Sequence, residues 1–192
     1  MLQHVALLLR ISGANRIARR YFVVNGFDGA LTMLGIVTGF IVSDARDLSV
    51  VLGACLGAAI ALGVSGISSA YVSESAERRR ELAALEESMV ADLGNSYHAA
   101  AARWIPILIA LVNGFAPLTI SLVIITPLWL ARAGVSLVHS PLYDAVGLAL
   151  GIVFLLGVYL GRIEGVSILR SGLRTVCLAT ATAALIYLLA GR

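Results

Sequence analysis

The chain of 192 residues has no lysine, only two cysteines and four prolines, and a charged fraction of just 13%. A water-soluble domain of this length carries about a quarter charged residues, so the shortage of charge excludes an ordinary soluble globular protein. Cys55 and Cys177 stand far apart, each inside an apolar run. That spacing excludes a disulfide framework or a thiolate metal site, and both read as small apolar side chains. All 14 basic residues are arginine, a usage that reads as compositional bias. They flank apolar runs, so the net charge of +3 does not point to nucleic acid. Catalytic signatures are missing as well. There is no nucleophile–base pair, HExxH, phosphate loop or catalytic carboxylate pair, and no enzyme is expected. Residues 1–20 lack a small-residue cleavage site and carry their arginines after the apolar stretch, so no cleavable signal is expected.

What the chain does have is apolar length. Hydrophobic residues make up 59% of it, gathered into five runs at about 21–43, 48–72, 104–131, 142–161 and 172–190. Each approaches the roughly 20 residues a helix needs to cross a bilayer. The fold expected is therefore an all-α integral membrane protein of five transmembrane helices. Its divisions are an amphipathic interfacial segment over 1–20, spans one and two over 21–72, a cytoplasmic charged helix over 73–102, and spans three to five over 103–192. Within 1–20, Leu2, Val5, Leu8 and Leu9 alternate with polar and basic residues, as in a helix lying in the interface or a disordered basic leader. With five spans, 11 arginines fall on the side of the N-terminus and only Arg46, Arg132 and Arg192 on the other. The positive-inside rule then places the N-terminus in the cytoplasm, and the prokaryotic cell membrane is the expected location.

Asp28 lies inside the first run, in YFVVNGFDGALTMLGIVTGFIVS. A carboxylate at that depth costs on the order of 3 kcal/mol, which makes it a functional-site candidate. Helical spacing puts Asn25, Asp28 and Thr32 on one face. The second run carries Gly53, Gly57, Ala61 and Ser65 at four-residue spacing, a stripe that lets helices approach closely, with Ser68 and Ser69 adding hydroxyls. Asn113 and Pro117 combine an amide with a helix breaker in the third run. Asp28, Asn25, Thr32, Ser65, Ser69 and Asn113 are the candidate lining of a polar path. The alternative is that the glycines and serines serve packing and Asp28 a hydrogen-bonded link to Asn25 or Asn113. Asn25-Gly26-Phe27 recurs as Asn113-Gly114-Phe115, which suggests two parallel units, spans one–two and three–four.

These motifs, in this order, resemble the vacuolar iron transporter family and its prokaryotic relatives. The similarity rests on NGFDGALTMLGIVTGF in the first span, on SGISSAYVSESAERR closing the second (Ser65, Tyr71, Ser73), and on the C-terminal LGVYLGRIEGVSILRSGLRTVCLATATAALIYLLAGR. It implies a homodimer whose interface carries divalent metal, with Asp28 as a ligand. Two second-span ligands that the resemblance expects are replaced, a Met by Gly66 and a Glu by Ala70. Loss of a thioether and a charge tilts a remaining site toward hard oxygen donors and ions such as Mn²⁺ or weakly held Fe²⁺. The large cytoplasmic metal-collecting domain of some relatives is reduced here to one helix. Glu74, Glu77, Glu81, Glu86 and Met89, with Glu87, Asp92 and His98 nearby, are the candidates for gathering cations, and a solvated charged face is the alternative. The function expected is export of iron or manganese from the cytoplasm by proton exchange, with no prosthetic group. Its partners would be the bilayer, a second copy, divalent cations and protons. Glu164 is a candidate second acid, and pairing with Arg162 or Arg170 at the interface is the favoured alternative. A non-transporting scaffold or regulator that kept the fold is the alternative.

Overall fold

A computed structural model describes residues 14–44, 47–94, 96–135 and 140–191. Among them the chain is helical, with five long helices and one short one. The helices are α1 Ala14–Val42, α2 Leu48–Met89, α3 Tyr97–Ile124, α4 Thr126–Arg132, α5 Pro141–Glu164 and α6 Ile168–Ala190. All but α4 are long and apolar enough to cross a membrane, because each holds an uninterrupted apolar run of the required length. Most of the amphipathic segment expected over 1–20 lies outside the described residues. Its last residues belong to α1, which runs through Arg19 and Arg20 into the span without a break.

Local chemistry sets the boundaries. Asp47 caps α2, its carboxylate accepting the Ser49 N–H at 2.8 Å. The helix then continues past its apolar part through the charged run and ends at Val90, which takes a left-handed conformation at φ 50°. Ser96 caps α3 by accepting the Ala99 N–H at 3.3 Å. The third apolar run, expected as one span over 104–131, is two helices instead. Pro127 supplies no N–H to continue the ladder, so α3 stops at Ile124 and α4 starts anew with proline in its first turn. Pro141 likewise opens α5, and Gly165 closes it at φ 72°.

Helix α1 is central, touching α3, α5, α6 and α2, while α3 packs most extensively on α2, and α5 on α6. The core runs through Met33, Leu34 and Val37 of α1, Leu52 and Cys55 of α2, Ile124 and Leu128, and Val153 of α5. The outer surface is apolar too, with Ile60, Val64, Leu155, Leu178, Leu185 and Leu188 exposed, as hydrocarbon requires.

The two Asn-Gly-Phe copies meet. Asn25 donates to Asn113 across a separation of 88 residues, and Gly29 seats against the Pro117 backbone at the same offset. Gly26 faces Leu156 of α5, whereas Gly114 faces Gly63 and Ile67 of α2. The first helix of each unit thus packs on the second helix of the other.

Candidate functional site

Asn113 is 5% exposed and sits where α1, α2 and α3 converge. Its Nδ2 donates to the Gly66 carbonyl at 2.7 Å, and its Oδ1 accepts from Asn25 Nδ2. Asn25 Nδ2 also donates to the Tyr21 carbonyl at 2.9 Å. One pair of amides therefore ties three helices together. Pro117 withholds the N–H that would bond the Asn113 carbonyl, and Gly66 lies beside that carbonyl, where a Cβ on residue 66 would stand 3.0 Å from its oxygen. Glycine permits the approach because it has no Cβ.

Toward the arginine-rich end a second polar chain joins α1 to α2. Tyr21 Oη donates to Glu74 Oε1 at 3.2 Å. Arg78 lies 3.7 Å from Glu74 and 2.7 Å from Glu81.

Asp28 belongs to neither chain. Its side chain is exposed on the surface of the single chain and has no hydrogen-bond or ion-pair partner among the described residues. Seven residues separate it from Tyr21, so the two share a face of α1. Thr32 is half-buried, and Ser65 and Ser69 are exposed. Of the six residues expected to line a polar path, the structure brings together Asn25 and Asn113 inside the bundle and leaves Asp28, Ser65 and Ser69 outside. The link from Asp28 to either asparagine is not made, because the asparagines bond each other.

The acidic residues are similarly divided. Glu74 and Glu81 are held by Arg78, and Glu86 accepts the Leu93 N–H at 3.1 Å. Glu77 and Met89 are exposed. Among the described residues no group of three or more His, Cys, Asp or Glu side chains is close enough to hold a metal ion. The Glu164 side chain lies outside the described set. The two positions at which the resemblance expects second-span ligands are both turned inward: Gly66 abuts Asn113 and Gly114, and Ala70 is buried. Sequence reasoning missed Tyr21 and the Gly66 carbonyl, which no side chain advertises.

The fold and its apolar exterior define an integral membrane protein of five long helices. Over 174 aligned residues, 88% of this chain and 87% of the relative, it is 32% identical to the uncharacterized protein MJ0645 of Methanocaldococcus jannaschii. The chain belongs to the family of that archaeal protein. No protein-family model and no solved structure matches it.

Proposed function

We propose that the protein is a homodimeric carrier that exports a divalent cation, iron or manganese, in exchange for protons, with its N-terminus in the cytoplasm. One observation carries this reading: Asp28, within a membrane-length helix, is exposed and has no hydrogen-bond or ion-pair partner among the described residues. Facing hydrocarbon, each such carboxylate would cost on the order of 3 kcal/mol. A second copy covering that face would set two carboxylates together, and a cation or protons between them would offset the penalty. Two acids and one divalent cation form a neutral set, and so do two acids and two protons. Alternation between these occupants exchanges one cation for two protons without net charge movement. Oxygen ligands alone suit a hard ion. Glu77 and Met89, at the surface of the helical extension, remain available to collect it.

The sealed positions at Gly66 and Ala70 favour a second reading, a scaffold that kept the fold without its ligands. The intact protein reconstituted in vesicles separates the two. Metal-dependent proton flux is expected in the wild type and lost in Asp28→Asn, with helical content unchanged. Mn²⁺ or Fe²⁺ should also raise the wild-type unfolding midpoint by mass action. Undiminished flux in Asp28→Asn would remove Asp28 from the mechanism, and absence of both flux and a midpoint shift in the wild type would favour the scaffold.

A further inference from the structure

At the arginine-rich end, a cleft of about 340 Å³ opens between α2 and α3, lined by Tyr71, Ser75, Arg79, Leu82, Ala102 and Arg103. Its volume lies within the roughly 300–1,000 Å³ typical of small-molecule sites. The charge inside it is unbalanced. Arg79 and Arg103 line the same cleft, no carboxylate joins them there, and neither has a hydrogen-bond or ion-pair partner among the described residues. Arg78, next to Arg79 in the chain, shows the contrast, since it contacts Glu74 and Glu81. Two guanidinium groups sharing a cleft repel each other unless an anion lies between them. Guanidinium is also the side-chain group best matched to phosphate oxygens, through paired N–H donors. The Tyr71 and Ser75 hydroxyls add two donors.

The cleft sits at the level of the membrane interface. Tyr71 and Trp104, beside it in space or sequence, are exposed at span ends, where aromatic belts lie. On α2, Ile60 and Val64 continue the face of Tyr71 into the apolar part of the span. On α3, Ile107 and Leu111 follow Arg103 at four-residue spacing, and all four are exposed. A polar anion site thus opens onto an apolar track running along the bundle.

We infer that this cleft binds a phosphate-bearing anion and that its occupant is the headgroup of an anionic phospholipid, with an acyl chain lying along Ile60, Val64, Ile107 and Leu111. The phosphate bridges Arg79 and Arg103, and the lipid fastens the charged extension of α2 to the start of α3. Basic clefts between membrane helices bind anionic headgroups in this manner.

The test uses the intact protein in a zwitterionic detergent, titrated with phosphatidylglycerol, phosphatidylcholine or inorganic phosphate. Binding is read by native mass spectrometry and by the thermal midpoint. Phosphatidylglycerol should bind saturably and raise the midpoint, and phosphatidylcholine should not. In the Arg79→Gln/Arg103→Gln double variant the affinity should fall by on the order of tenfold or more. Arg80→Gln, which removes a neighbouring charge outside the cleft, should bind like the wild type. If the double variant does not fold, Arg103→Gln alone carries the same expectation at a smaller fold-change. Saturable phosphate binding that depends on both arginines, without lipid binding, would keep the anion site and overturn its lipid occupant. Equal phosphatidylglycerol affinity in the wild type and the double variant would overturn the site itself.

Discussion

Asn113 joins α3 to two other helices: it donates to Gly66 and accepts from Asn25. Replacing it with alanine removes the interhelical donor from the Gly66 carbonyl, which keeps the backbone ladder of its own helix and the Ser69 hydroxyl at 3.4 Å, and takes one acceptor from Asn25. Asn25→Ala removes the shared bond but spares the bond to Gly66. Interhelical hydrogen bonds in membranes contribute about 0.6 kcal/mol on average and up to roughly 1.7. Asn113→Ala should therefore cost about 1–2 kcal/mol in reversible unfolding from mixed micelles, and Asn25→Ala about half as much. The double variant should lose less than the sum, since each single change already breaks the shared bond. Strictly additive losses would mean that the two amides are not coupled. Sequence placed both asparagines among candidate polar residues, and each carries a motif copy. What it did not disclose was that they satisfy each other, because pairing depends on the rotation of two helices about their axes.

The same limit governs whole helices. Five spans were legible because length and apolarity alone satisfy the bilayer, and the charged run after residue 74 was legible as helix from its strong helix formers. The break at Ile125 was not, since Thr126 and Pro127 lie within continuous apolar sequence and only the missing N–H interrupts the helix. The reach of α1 back to Ala14 was also hidden, because arginines end a membrane span without ending a helix. Small residues show the difference most sharply. The stripe from Gly53 to Ser65 was the readable close-packing signal, yet a Cβ on Gly53 or Gly57 meets nothing within 4 Å. The tightest crossing of α2 with α3 lies at Gly114, where a Cβ would collide with the Gly63 carbonyl oxygen and with Ile67 Cγ1. Gly114→Ala must push the two helices apart and should destabilise by about 1–3 kcal/mol, as overpacking does. Gly57→Ala should leave the unfolding of the single chain unchanged or slightly stabilised. Equal effects from the two changes, measured by the same unfolding assay, would contradict this packing of α2 on α3.

For the molecule as a whole, two unrelated features are left without cover by the described residues. One is Asp28, which hydrocarbon does not solvate. The other is the outer face of α2 on the Asp47 side of Ile60, where the exposed Gly53 and Gly57 present a smooth surface to the surroundings. Smooth faces bring little of their own to a lipid contact, but they allow another helix backbone to come close and gain van der Waals contact along its length. The corresponding helix of the second unit, α5, is covered on one side by α6, with Gly157 against Thr175 and Gly161 against Ser171. Among the described residues the Gly53–Gly57 face of α2 has no such neighbour, and a second copy would supply one. Leucine at residues 53 and 57 tests this without disturbing the chain's own packing, because both positions are open. Gly53→Leu/Gly57→Leu should unfold like the wild type but associate at least about tenfold more weakly, a loss near 1.4 kcal/mol. Fluorescence energy transfer between labelled copies in vesicles reads that change directly. If association is unaltered, the stripe is not the contact between copies. If the wild type does not associate at all, Asp28 has no second carboxylate to face, and paired-acid exchange fails with it.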